Sequence, residues 1–268
     1  MRLLVKENRM KTFTIIIPTY NNLDLFKSAY SSVCKQDFKD YEIVVVDDSE
    51  DSSISDYVSM VNDSSLVYRH HVPSAGAVNN WNSGLRLASG RFVIVLHHDE
   101  AFEEGGYLTS LNEQFQRGFD VVVTRVKVFN GGELKPNVFS RAVMRLFMGL
   151  PSLLFLCNVI GPCSCVAFRR EHLIYFDSRL RWLVDVDWYY RLLKGRRRTF
   201  VDSLHVDSFN DHDDKITNRI DIKQTEVEDI SVLSSKYKYR LLLRCCLWVN
   251  KVVMHSNLKC IIKKIIRK

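Results

Sequence analysis

Apolar residues in this chain come in short dense runs that alternate between two periods. "FTIIIPTYNN" (Phe13–Asn22) is a continuous apolar run closed by proline and two asparagines, the pattern of a buried strand ending in a turn. "LDLFKSAYSSVCKQ" then changes to helical spacing, with Leu25, Phe26, Ala29, Tyr30 and Val33 on one side. "YEIVVVDDSEDSS" is a second, β-branched strand whose end delivers Asp47 and Asp48. A short helix "ISDYVSMVN", a short strand "LVYRHHV", a helix "AGAVNNWNSGLRLAS" and a strand "RFVIVLHHDE" complete the series. Strand alternating with helix predicts a parallel sheet with crossover helices. Each strand hands over to polar residues at its C-terminal end, the edge at which open α/β sheets bind ligands. Further on, Val143–Ile160 is apolar but broken by Arg145, Gly149, Pro151 and Asn158. It is too interrupted to cross a bilayer and reads as helix and loop packed on the sheet.

Composition narrows the class. The 268 residues suffice for one large α/β domain with a sizeable core, and 46% hydrophobic with 26% charged residues is ordinary for a soluble protein. The seven cysteines show no zinc-type pairing, because Cys163-x-Cys165 and adjacent Cys245–Cys246 are too tight. An odd number without a disulfide pattern predicts a reducing, cytoplasmic compartment. The start, "MRLLVKENRMKTF", has no apolar stretch of signal-peptide length. No dinucleotide glycine fingerprint and no G-x-x-x-x-G-K-[ST] loop follows the first strand, which disfavours the common nucleotide-binding variants.

The net charge of +7 is unevenly placed. Ten of the 38 Lys and Arg residues fall between Ser231 and Lys268, a stretch without a single acid, and the remainder carries 28 cations against 31 acids. A mildly acidic body thus bears a strongly basic tail, an asymmetry that calls for a partner. The tail mixes Leu, Trp, Val and Ile with Lys and Arg, so it suits an anionic membrane surface, with a C-terminal helix packed on the body as the alternative. Nucleic acid would attract the same charge, but nothing in the body looks like a reader of bases.

The strand ends "PTYNN", "VVVDDSEDSS" and "LHHDE", followed by "NVIGPCSCVAFRRE" (Asn158–Glu171), "LVDVDWYYRLL" (Leu183–Leu193) and "FNDHDDKITN" (Phe209–Asn218), together resemble the family 2 glycosyltransferases. The resemblance spans roughly residues 13 to 220 and rests on the order and spacing of motifs that are weak singly. It implies the GT-A fold of nucleotide-diphospho-sugar transferases: α/β, with a mainly parallel central sheet flanked by helices over residues 1–225, and a basic amphipathic helical tail over 226–268.

Such transfer needs a divalent cation, Mn²⁺ or Mg²⁺, to neutralise the departing diphosphate. The resemblance places it at the family's Asp-x-Asp, where His97 replaces the first aspartate, His98 fills the middle and Asp99 matches the usual ligand; Glu100 follows where a further acid is common. Imidazole suits Mn²⁺ better than Mg²⁺, and both histidines remain open between ligand and loop residue. His212 matches a loop histidine that reaches the metal or the diphosphate. The resemblance assigns Pro18, Tyr20, Asp48 and Asn82 to the nucleotide, with Asp48 on the imide N–H of uracil or thymine, which favours UDP or dTDP donors. Trp81 stands where many members have arginine and reads as core. Asp185 matches the base that deprotonates the acceptor hydroxyl, with a helix cap as the other role open to Asp185 or Asp187. Gly161, Asp187 and Trp188 are placed near donor or acceptor sugar, although tryptophan is more often buried than stacked on sugar.

The expected activity is inverting transfer of a hexosyl unit to a lipid-linked or polysaccharide acceptor, as in bacterial polysaccharide and O-antigen synthesis, at the cytoplasmic face of the membrane. A non-catalytic nucleotide-sugar-binding or scaffold subunit is the alternative, because His97 displaces a carboxylate. Nucleotidyl transfer, which would release pyrophosphate, is argued against by the missing glycine-rich loop.

Overall fold

The structure is a computed structural model that describes residues 10–135, 139–210 and 221–254. Its first half follows the predicted alternation. Strand β1 (Phe13–Thr19) is buried along its whole length, as the unbroken apolar run demands of a strand covered on both faces. Strands β2 (Tyr41–Asp47) and β4 (Phe92–Val95) lie parallel to β1 on either side, and β3 (Leu66–His70) lies parallel to β2. Thr19 stands opposite Asp47, and Asp47 opposite His70, so three strand ends share one edge.

The crossovers are α1 (Leu23–Cys34), α2 (Ser53–Val61) and α3 (Ala77–Leu87). The Asn22 side chain caps α1 by accepting from the Leu25 N–H, and Phe26, Ala29, Tyr30 and Val33 form its buried face. Helix α3 rides so close to the sheet that a Cβ at Gly84 would fall 2.2 Å from Ile16 Cγ2.

The second half departs from the expected mainly parallel sheet. After β5 (Glu100–Phe102) and α4 (Tyr107–Gln116) come β6 (Val121–Asn130), β7 (Glu133–Lys135), α5 (Arg141–Gly149), β8 (Val166–Arg169), α6 (Val184–Leu193) and β9 (Arg198–Phe209). The sheet order is β3-β2-β1-β4-β8-β6-β9-β5, with β7 paired to β6. β8 runs antiparallel to both β4 and β6, β5 antiparallel to β9, and β7 antiparallel to β6; of this half only β6 and β9 pair in parallel. The sheet is therefore mixed. Helical crossovers, which parallel neighbours need, join the first four strands in succession, and beyond β4 the connections are too varied to sustain them. The Val143–Ile160 stretch is α5 followed by a 3₁₀ turn over Pro151–Phe155, which bury Met144, Phe147, Met148, Leu154 and Phe155.

Two further helices, α7 (Ile222–Lys236) and α8 (Leu241–Met254), close the described chain. The boundary expected between residues 225 and 226 lies inside α7. That helix is tied to the body: buried Asp229 accepts from the backbone N–H groups of Arg181, Trp182 and Leu183, each at 2.7–3.2 Å. Among the described residues no helix is long and apolar enough to cross a membrane.

Candidate active site

The polar residues predicted at the strand ends converge. At the end of β4 the chain turns through His97, His98 and Asp99 before β5 begins at Glu100. The backbone N–H of His97 donates to Glu100 Oε2 at 3.0 Å, and Glu100 N–H returns to the His97 carbonyl at 3.1 Å. This reciprocal pair makes a tight turn and draws Glu100 inward, where it is 2% exposed. His98 turns to the other side. Its Nδ1 accepts from the Tyr20 N–H at 3.1 Å and lies 3.2 Å from Thr19 Oγ1, so it fastens the turn to the end of β1. Of the two histidines left open by the sequence, this one holds structure together.

His97 faces the acids. One oxygen or nitrogen from each of His97, Asp99 and Glu100 lies within 4.8 Å of the others, a spread that a single divalent cation can bridge. The imidazole ring stacks on Trp81, centroids 4.9 Å apart at 29°, and Nε2 lies 3.2 Å from the Cys163 Sγ. Burial lowers the His97 pKa, with Asp99 opposing, and pushes the Cys163 thiol up, so a neutral imidazole faces a protonated thiol. Burial also drives Glu100 well above the usual carboxylate range, reinforced by Asp99, while the neighbouring Ser164 hydroxyl and the His97 N–H pull it back. Two carboxyl groups beside a neutral imidazole, with one acid held up by the other, are a donor set that a cation would complete.

Asp185 closes the same space. It acts electrostatically on both Glu100 and Cys163, and burial raises its pKa from 3.8 to about 7. Its Oδ1 is buried without a hydrogen-bond partner among the described residues. An acid with that pKa and an unoccupied lone pair beside a cation site is equipped to take a proton near neutral pH. The expected acidic motif ahead of a helix lies instead inside it, because α6 begins at Val184. Its start is held by the three N–H groups that Asp229 accepts.

The other predicted residues divide between site and scaffold. Pro18 is buried in β1 opposite Val46. Tyr20 sits just beyond that strand end, its hydroxyl 3.3 Å from Glu50 Oε1. Asp48 is buried at the end of β2, where its carboxylate accepts from Ser74 Oγ (2.6 Å), Ala75 N (2.6 Å) and Gly76 N (2.9 Å). Gly161 adopts φ +101°, and a Cβ there would meet Val126 Cγ1 at 2.9 Å, which explains why glycine is needed beside the site. His212 lies outside the described residues.

Three of the expected residues are engaged within the scaffold. Asn82 donates to the Phe176 carbonyl at 3.0 Å and accepts from its N–H at 2.8 Å, so its amide joins α3 to the segment before α6. Asp187 is fully buried and bonded to Arg191, Lys236 and Tyr237 at 2.6–3.0 Å, which binds α6 to α7. Trp188 is also fully buried, stacked on Phe176 with its Nε1 donating to the Ile174 carbonyl at 2.9 Å. Neither Cys163 nor Asp229 is among the candidate site residues that the sequence motifs single out. No local signal marks either one, since the thiol meets His97 and the aspartate meets residues 181–183 only in the fold.

Comparison with known proteins bears on the family and the fold. The family model described as glycosyl transferase family 2 matches residues 14–175. A Campylobacter jejuni protein named GalNAc(5)-diNAcBac-PP-undecaprenol beta-1,3-glucosyltransferase is 32% identical over 128 residues, 47% of this chain and 41% of its own. Among solved structures, Staphylococcus aureus TarS residues 1–349 with UDP-GlcNAc superposes with a TM-score of 0.65 at 19% identity, covering 83% of this chain and 66% of that one. The Pyrobaculum calidifontis mannosyltransferase PcManGT, with GDP-Man and Mn²⁺, gives 0.63 at 18% identity over 93% and 71%. These likenesses show the fold. The chain spans 22% to 65% of the length of the curated relatives it matches first.

Proposed function

The chain belongs to glycosyl transferase family 2, and from that premise we propose that it moves a hexosyl unit from a nucleoside diphosphate donor to a lipid-linked or polysaccharide acceptor in cell-surface glycan synthesis. The observation that carries this reading is Asp185: a carboxyl with pKa about 7 and a bare buried oxygen, beside the His97, Asp99 and Glu100 cluster.

Asp185 accepts the proton of the acceptor hydroxyl as that oxygen forms its bond to the anomeric carbon. The bond from that carbon to the diphosphate oxygen breaks with its electron pair, and the nucleoside diphosphate departs. Attack opposite the leaving group inverts the anomeric centre. A Mn²⁺ or Mg²⁺ ion held by His97, Asp99 and Glu100 would supply the positive charge that offsets the departing diphosphate. Cys163 and Trp81 fix the His97 ring, and His98 fixes the turn to β1.

Tyr20 and Asp48 flank the nucleotide side, with UDP or dTDP favoured because a carboxylate accepts from the imide N–H. TarS with UDP-GlcNAc supports a uridine donor, PcManGT supports the cation, and the name of the Campylobacter relative supports a lipid-linked acceptor. The work is placed at the inner face of the cell membrane, with the basic C-terminal tail on the anionic surface.

Radiolabelled UDP-sugars incubated with the protein, Mn²⁺ and polyprenyl-diphosphate-linked acceptors test this. Label is expected in the butanol-extractable lipid with release of UDP. No transfer from any UDP- or dTDP-sugar, with metal and acceptor lipids present, would overturn it.

A further inference from the structure

Helix α8 has two apolar faces, and the body covers only one. Leu243, Cys246, Leu247 and Asn250 recur at three- and four-residue spacing and are buried against α7 and the 151–155 turn. On the opposite side Leu241, Cys245, Trp248 and Val252 are all exposed, Leu241 by 78% and Trp248 by 67%. At 3.6 residues per turn these four lie within an arc of about 60°. Arg244 and Lys251 run along one flank of that stripe, with Arg240 just ahead of the helix in the same row. The helix side turned to water therefore carries an apolar ridge where charges are the rule.

We propose that this face of α8 lies in the interface of an anionic lipid bilayer, with Trp248 at the head-group boundary and the cationic row on lipid phosphates. The proposal rests on the membrane-linked acceptor of the proposed function and assigns the docking to particular residues. Charge complementarity chooses the partner, since from Ser231 onward the chain has ten cations and no acid. A second copy seated face to face would oppose its own cationic row, and like charges across an interface are disfavoured. At the start of α8 the apolar surface continues into an open cavity of about 380 Å³ walled by Leu150, Tyr190 and Leu242, with Lys194 and Arg240 also lining it. Apolar walls beside two cations suit an acyl chain and its phosphate. Helix α7, on which α8 packs, is tied to α6 by Lys236 and to the segment ahead of α6 by Asp229.

The test uses the full chain and sedimentation with vesicles of phosphatidylcholine alone or with about 30% phosphatidylglycerol. Binding is expected only to the anionic vesicles, weakening with salt, with a blue shift in emission that Trp248→Phe removes. Arg244→Gln with Lys251→Gln should weaken binding by about 25-fold, at about fivefold per cation. Trp248→Ser should weaken it by about tenfold or more. Both variants alter exposed side chains, and their melting temperatures are read alongside to show that they fold. Anionic-vesicle binding that survives both variants, or is missing in the wild type, overturns the assignment. So does a lipid-free dimer in ultracentrifugation that Trp248→Ser abolishes. UDP binding measured on the same proteins without vesicles reports separately on the transfer reaction, so either reading can fail alone.

Discussion

Replacing Asp185 with asparagine should stabilise the protein and stop the reaction. Burial raises the pKa of this carboxyl from 3.8 to about 7, a difference of about 3 units. At about 1.36 kcal/mol per unit, the ionised form carries a penalty of at most about 4 kcal/mol in the folded state. The sign follows from proton binding. Between these two values the folded state holds a proton that the unfolded state has released, so stability falls as pH rises from about 4 to about 7 and is level above. Asparagine cannot ionise and escapes that loss, although its amide still sits in a site where Oδ1 had no partner. A gain of about 2 kcal/mol at pH 8 is expected, or about 4–8 °C in melting temperature. At pH 4 the two proteins should melt within about 2 °C of each other. Transfer should fall by about 10²–10⁴, and wild-type kcat should rise as pH passes about 7. Calorimetric melting at the two pH values, beside a UDP-release assay, measures both effects. If the variant melts lower than wild type at pH 8, or keeps its turnover, the reasoning about this carboxyl is wrong.

Other substitutions separate site from scaffold. Asp229→Ala leaves three N–H groups at the start of α6 without their acceptor, so urea unfolding should show a loss of about 3–5 kcal/mol, with kcat reduced more than donor affinity. Trp188→Ala should cost about 3–5 kcal/mol of stability, because the ring is fully buried, while UDP affinity at low temperature stays within about twofold of wild type; a selective loss of sugar specificity would contradict its core role. His97→Asp replaces imidazole by carboxylate in the cluster and should raise Mg²⁺ affinity relative to Mn²⁺, which metal titrations followed by UDP binding would register.

The first four strands were legible because their apolar runs have a single period and end in polar turns. The side-chain directions were harder to read. A motif fixes position along the chain, and whether its acids point into a pocket depends on the element they occupy. Placed ahead of a helix, Asp185 and Asp187 could both face a ligand. Placed inside α6, residues two apart lie about 200° around the axis, so with Asp185 toward the pocket Asp187 turns into the core. There it meets Lys236 and Tyr237, some fifty residues later, which no local pattern predicts. Asn82 fits the family spacing, yet its partner is a backbone 94 residues away. The mixed half of the sheet was hidden for the same reason, since the direction of β8 follows from how the chain returns between β4 and β6.

The central claim is that His97, Asp99 and Glu100 hold a cation on which donor binding depends. Calorimetric titration of UDP with Mn²⁺ and with chelator, on wild type and Asp99→Ala, tests it most directly. Binding to wild type that needs Mn²⁺, and loses that dependence in Asp99→Ala, is the predicted result. UDP binding of equal strength with chelator, or a metal dependence untouched by Asp99→Ala, would contradict it.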